Sequence, residues 1–254
     1  DGTVLVAVHG IGRDAREQAL AWRPLARARG WPLLAPVFEA CDAPGYQRLG
    51  WDGDGPPADE LLDATMDAVA REVGVPLDDL VLAGYSGGAQ FCHRYAMAHP
   101  RRVRALIVGA AGWYTWPDPR LPWPVGMDTT RHRGARPLDL DSFLRISTLI
   151  YVGDQDVERG PTLRAGPVID TLQGTDRRAR AAAWRAALDR AARERNETPA
   201  TALIELPGVA HEFSAAVRAG IVGTVGQWLT ESAHGLATAR PTPALPTGDC
   251  HGER

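Results

Sequence analysis

Five residues, Gly84-Tyr85-Ser86-Gly87-Gly88, constrain this chain more than any other segment. They stand between an apolar run, Leu80-Val81-Leu82-Ala83, and a stretch that reads as helix from Gln90 to His99. A strand that turns directly into a helix leaves little room for side chains at the crossing. Gly84 and Gly88 let the two backbones approach closely, and glycine takes positive φ without the usual cost. The residue left exposed at the apex is a serine. G-x-S-x-G in this setting is the pattern of a nucleophile elbow, with the N–H of Gly87 free to face a developing oxyanion. The five residues alone would also fit a glycine-rich turn carrying an incidental serine, so the decision falls to the rest of the chain.

A serine hydroxyl is a weak nucleophile and needs a base, which in turn needs an orienting acid. On a scaffold of this kind both are expected later in the chain, at the ends of strands, in the order acid then histidine. Val103-Arg104-Ala105-Leu106-Ile107-Val108 is the next strand signal, and Ser147-Thr148-Leu149-Ile150-Tyr151-Val152 follows it. The second runs into Gly153-Asp154-Gln155-Asp156. Two aspartates compete there; the spacing from the glycine favours Asp156 as the acid, with Asp154 bracing the loop. The last strand signal, Ala202-Leu203-Ile204-Glu205-Leu206, leads into Pro207-Gly208-Val209-Ala210-His211. His211 is therefore the candidate base, since a neutral imidazole can take a serine proton near neutral pH. The other histidines sit in predicted helix, loop or tail positions.

A further part lies at the start of the chain. Thr3-Val4-Leu5-Val6-Ala7-Val8 is continuously apolar and rich in β-branched residues, as a strand buried on both faces should be. It ends in His9-Gly10-Ile11-Gly12. A turn of this H-G-x type supplies a second oxyanion donor, the backbone N–H of Ile11, beside that of Gly87. The Ile11 side chain is then free to line an acyl pocket, and His9 is expected to brace the loop.

These residues together resemble the α/β-hydrolase fold superfamily, and within it the poly(3-hydroxybutyrate) depolymerase-like esterases, including the LpqC-type proteins. The likeness runs to about Leu229. It rests on Ala35-Pro36-Val37-Phe38, on Gly84 to Phe91 with His93-Arg94, on Gly112-Trp113-Tyr114-Thr115, on Gly153 to Asp156 and on Pro207 to His211. It implies a mostly parallel sheet with helices on both faces and serine ester hydrolysis without cofactor or metal. A small-molecule or polymeric ester is the implied partner, and Trp113, Tyr114 and Tyr85 are expected to contact it.

Composition agrees with a single α/β catalytic domain over 1–231: 254 residues with 44% hydrophobic content. All 28 basic residues are arginine, which excludes lysine Schiff-base chemistry and a lysine-containing phosphate loop. A net charge of −3 gives no electrostatic case for nucleic acid or an anionic membrane, and no transmembrane run is visible. Cys41, Cys92 and Cys250 show no metal-ligand spacing; a Cys41–Cys250 bridge is conceivable.

Leu62, Met66, Val69 and Val73 mark one helix by their apolar stripe. Thr175 to Asn196 reads as a second, with Trp184, Leu188 and Ala191 inward and a solvated arginine face. Phe213 to Thr230 reads as the last, and residues 232–254 as a disordered tail. The segment 113–144 carries Trp113, Tyr114, Trp116 and Trp123 with five prolines and is expected to form a stiff rim or lid beside the site, although Trp123 fits a sheet-edge cover equally well. The chain opens almost directly on the strand before His9, so two strands usual in this superfamily are not expected in it, through either a missing start or a shortened sheet. The remaining six are expected in the order 4-3-5-6-7-8, ending near Phe38, Val8, Gly84, Gly109, Val152 and Leu206. The strand from Leu33 to Phe38 would then be an uncovered edge. Self-association through it, or a longer natural chain that covers it, is the expectation, and no targeting segment is visible.

Overall fold

The computed structural model describes residues 2–53, 55–132 and 134–239, with side chains up to 232. In chain order the elements are β1 (Thr3–Val8), α1 (Ala15–Arg29), β2 (Leu33–Leu34), α2 (Ala58–Val73), β3 (Asp79–Tyr85), α3 (Gly87–Ala98), β4 (Val103–Gly109) and α4 (Leu140–Phe143). After these come β5 (Ser147–Gly153), α5 (Pro167–Gln173), α6 (Arg177–Arg193), β6 (Thr201–Leu206), α7 (Phe213–Arg218) and α8 (Ile221–Ala239). The strands form one sheet in the order β2-β1-β3-β4-β5-β6, every pair parallel. That is the spatial order expected from the sequence.

Register places the functional loops together. Val8 pairs with Gly84, Tyr85 with Gly109, Gly109 with Tyr151 and Gly153 with Leu206, so the carboxyl ends of five strands share one edge. The strand interiors are buried from Val4 to Val8, Leu80 to Ala83 and Leu149 to Val152, as parallel strands covered on both faces must be. On one face α1 packs against β1, β2 and α8. On the other, α3 covers β1, β3 and β4 while α6 covers β5 and β6, and the two helices meet where Trp184 packs on His93, with 5.2 Å between ring centroids.

Three elements depart from expectation. The edge strand β2 pairs only at Leu33 and Leu34, not through Phe38. Pro36 has no N–H to donate to a ladder, and the N–H of Phe38 is committed to His9 Nε2 at 3.0 Å. The Phe38 ring leaves the edge for a cluster with Tyr46 and Phe91, so the uncovered edge is short. The final helical stretch is divided at Ala219-Gly220, where Gly220 takes φ 89°, and α8 then runs on to Ala239, past the predicted boundary of the tail. Residues 240–254, and with them the Cys250 half of the conceivable bridge, lie outside the described residues. Among the described residues no helix is long and apolar enough to cross a membrane.

Candidate active site

Ser86 stands between the last residue of β3 and the first of α3, with φ 54° and ψ −111°. Such a backbone conformation costs a non-glycine residue on the order of 1–3 kcal/mol and persists only where the surroundings enforce it. The enforcement is visible in the main chain. The Ser86 N–H donates to the Gly109 carbonyl at 2.8 Å, and its own carbonyl accepts the Gln90 N–H at 3.2 Å. A side chain on Gly84 would run into the backbone of Gly88, and one on Gly88 would run into the carbonyl oxygen of Val8. The crossing is thus a three-way backbone contact of β1, β3 and α3, and only glycine fits the two flanking positions.

The loops after β5 and β6 bring two more side chains to the serine. His211 Nε2 lies 3.1 Å from Ser86 Oγ, and His211 Nδ1 lies 2.7 Å from Asp156 Oδ2. The Asp156 carboxylate is buried, and its loop is closed by its own N–H donating to the Gly153 carbonyl at 3.1 Å. The competing Asp154 accepts the Gly208 N–H at 2.8 Å and so ties the two loops together without reaching the imidazole. The Tyr85 ring stacks on His211, with 5.2 Å between centroids and 22° between planes. Its hydroxyl is 3.5 Å from Nδ1. Burial, and next the charge on Asp156, push that phenol well above its ordinary pKa, so it remains a neutral O–H.

The second Asp156 oxygen faces Arg177, whose Nη1 is 3.4 Å from Oδ1 and whose Nη2 donates to Thr162 Oγ1 at 3.2 Å. Arg177 is buried, and so is Arg180, which donates to the Gly174 carbonyl at 2.9 Å and to Asp170 Oδ1 at 2.8 Å. The solvated arginine face expected for this helix therefore holds for only part of it. Both side chains point inward because their oxygen partners lie off the helix, Asp156 on the loop after β5 and Asp170 on α5, which periodicity does not reveal.

At the β1 end, the Arg13 N–H donates to the Gly10 carbonyl at 3.0 Å, closing a turn that leaves the Ile11 N–H outside its own hydrogen bond. His9 braces this turn from below. Its Nε2 accepts the Phe38 N–H, which puts the ring proton on Nδ1, 2.8 Å from the Gly10 carbonyl. Burial, opposed by hydrogen bonding and joined by the charge of Arg13, holds its pKa below the usual imidazole value. Gly87 opens α3, so its N–H has no intrahelical acceptor. A Cβ on Gly87 would lie 2.7 Å from Gln47 Nε2 and from Tyr46 Oη, and 3.0 Å from Ile11 Cγ2. Ile11 and Gly87 are therefore neighbours, and the Ile11 side chain is half-exposed.

The three residues expected to contact substrate are placed differently. Tyr85 supports the imidazole face, as described. Tyr114 is fully buried, with its ring stacked on Trp184 at 4.4 Å and its peptide groups paired with the Gln173 amide at 2.9 and 2.8 Å. Trp113 is only 4% exposed, its ring held 4.3 Å from the Arg94 guanidinium and 4.8 Å from that of Arg164. The reason is that residues 113–116 fold back onto α3 and α6. The Thr115 N–H donates to His93 Nε2, Thr115 Oγ1 accepts from Arg94 Nε, and the Thr115 carbonyl accepts from Trp184 Nε1, all at 2.9–3.0 Å. Trp123 is buried too, so this part of the segment is core and not an open rim. Among the described residues no group of three or more His, Cys, Asp or Glu side chains is placed to hold a metal ion.

No protein-family model and no curated protein matches this chain. Solved structures do. LpqC, a poly(3-hydroxybutyrate) depolymerase from Bordetella parapertussis, is 26% identical, with 85% of this chain and 77% of that one covered at a TM-score of 0.72. Poly(aspartic acid) hydrolase-1 from Sphingomonas sp. KT-1 is also 26% identical at a TM-score of 0.72, covering 89% and 86% of the two chains. An S-formylglutathione hydrolase from Agrobacterium tumefaciens is 14% identical, covers 90% and 82%, and at a TM-score of 0.56 bears on the fold alone. With a six-stranded parallel sheet, a strand–serine–helix crossing and neighbours that are esterases and hydrolases, the chain has the α/β-hydrolase fold in its esterase-like form.

Proposed function

We propose that this chain is a serine hydrolase of carboxylic esters that works through an acyl-enzyme. The observation that carries the reading is the continuous contact from Ser86 Oγ through the His211 ring to Asp156, at 3.1 and 2.7 Å. His211 Nε2 takes the serine proton as Oγ attacks the ester carbonyl carbon. The tetrahedral oxyanion is held by the N–H groups of Ile11 and Gly87, donors fixed before the reaction and therefore free of reorganisation cost. The protonated His211 then donates to the departing alcohol oxygen, leaving the acyl group on Ser86. Water repeats the sequence, and Asp156 stabilises the imidazolium in each half.

The two 26% identical neighbours act on different polymers. The likeness to the poly(3-hydroxybutyrate) depolymerase supports an ester of hydroxyalkanoate type, whereas that to the poly(aspartic acid) hydrolase favours a second reading, amide cleavage by the same groups. Comparison of kcat/KM for short-chain, medium-chain and aromatic esters with that for matched amides tests both. The ester reading predicts turnover of at least one ester well above its amide; faster cleavage of the amides contradicts it.

A further inference from the structure

We propose that Arg177 is a positioning residue of this site. It holds the Asp156 carboxylate turned toward His211, and its charge opposes that carboxylate's pull on the imidazole. The proposal rests on the assignment of Ser86, His211 and Asp156 given above.

The Asp156 carboxylate divides its two oxygens. Oδ2 meets His211 Nδ1 at 2.7 Å, and Oδ1 meets Arg177 Nη1 at 3.4 Å. Both members of the second pair are buried, with side chains 4% and 1% exposed. Taking a guanidinium out of water is costly, and leaving one beside a helix N-terminus adds an unfavourable dipole interaction. Arg177 bears both costs, since it is the first residue of α6. Its neighbour Arg178 avoids the burial cost by pairing with Glu205 near the surface at 2.7 Å. Asp156 is the carboxylate within ion-pair distance of Arg177 among the described residues, and Arg177 Nε has no hydrogen-bond partner among them. The guanidinium is thus poorly satisfied as a general brace, and its placement is explained by Asp156.

The other charges around the site are matched elsewhere. Glu212, next to His211, pairs with Arg218 at 3.0 Å, and Arg180 and Arg159 both meet Asp170. Asp154 is committed to the Gly208 N–H, and Glu17 on α1 is raised above its usual range, first by burial and then by Asp14 and Glu212. Tyr85 and Tyr114, the phenols beside the pair, are both pushed above the ordinary range by burial and remain neutral. Arg177 is therefore the cation that acts on the Asp156–His211 pair at close range. A carboxylate alone would favour the imidazolium strongly and hold His211 protonated to higher pH, where it is useless as a base. The opposing cation offsets part of that pull.

The test is the pH dependence of Ser86 labelling by a fluorophosphonate probe, measured as a second-order rate between about pH 5 and 9 for the parent, R177Q, R177M and R177K. Thermal melts establish that each variant is folded. The expected result is a midpoint of the acid limb raised by about one pH unit in R177Q and R177M, with R177K retaining the parent midpoint because its charge is kept. Neutral variants that label with the parent midpoint overturn the proposal and make Arg177 a brace for the Thr162 loop. If neither neutral variant folds, the decision passes to R177K, and a folded R177K with a displaced midpoint contradicts the proposal. Failure of the underlying assignment looks different: labelling would then persist in S86A whatever stands at position 177.

Discussion

Replacing Asp156 by Asn changes one atom of the site and separates two effects that the structure keeps together. Asparagine presents either its NH2 or its carbonyl to His211 Nδ1, now 2.7 Å from a carboxylate oxygen. The NH2 would force the ring proton onto Nε2, which could then no longer accept from Ser86. The carbonyl would preserve the tautomer but leave the imidazolium without a counter-charge. In a triad of this kind the same change lowers kcat about 10⁴-fold, which at about 1.4 kcal/mol per decade is near 5.5 kcal/mol of transition-state stabilisation. Stability falls as well, because Arg177 stays buried without its carboxylate. Breaking a buried ion pair from one side costs about 3–5 kcal/mol, and for a domain of this size roughly 2–4 °C of Tm accompanies each kcal/mol. Asp154→Asn is the control, since an amide oxygen can still accept the Gly208 N–H. The assay is kcat and Tm for both variants on one good ester. D156N is expected to lose activity about 10⁴-fold with a Tm lower by about 10 °C, and D154N to remain within about threefold of the parent. Retention of a tenth of the activity in D156N, or equal losses in the two variants, would show that Asp156 does not orient His211.

Gly88→Ala places a methyl against the carbonyl oxygens of Val8 and His9, main-chain atoms with no rotamer to yield. A loss of at least about 3 kcal/mol in urea unfolding, or no folded protein, is expected, and a parent-like midpoint would contradict the three-way crossing. His93 is buried, and burial, joined by the charge of Arg94, holds its pKa well below the ordinary value, so the folded chain keeps it neutral. The unfolded chain then binds the extra proton below about pH 6.5, and this contribution to stability, complete above that pH, is lost as pH falls, at up to about 1.4 kcal/mol per unit. Urea midpoints from pH 7.5 to 5.5 should therefore decline less steeply in His93→Gln than in the parent; identical slopes would show that His93 is not the group responsible.

Much of the site was legible because its residues are tied to local patterns. Ser86 declares itself through Gly84 and Gly88, and His211 and Asp156 through their places after strands whose apolar runs are unmistakable. The strand order follows from the same ladder of signals. What could not be read depends on partners far apart in sequence. Arg177 and Arg180 look like the exposed arginines around them until the loop bearing Asp156 and the helix α5 bearing Asp170 are folded beside α6. Trp113 and Tyr114 resemble a binding rim because aromatic, proline-rich segments often are; here His93, Arg94 and Trp184 draw their backbone into the core. A signal did exist, since His93-Arg94 and Gly112 to Thr115 belong to the same resemblance, although nothing in the order of residues says that they bond to each other. The early end of β2 was also foreshadowed, by Pro36, but the demand of His9 for the Phe38 N–H is tertiary.

The most direct measurement on the central claim is the covalent state of Ser86 after exposure to a fluorophosphonate probe, read by intact mass and peptide mapping beside ester turnover. A single adduct on Ser86 is expected in the parent, none in folded Ser86→Ala, and a loss of kcat in that variant of about 10⁶-fold. An adduct that survives in Ser86→Ala, or ester turnover that survives with it, would contradict the claim that this serine is the nucleophile.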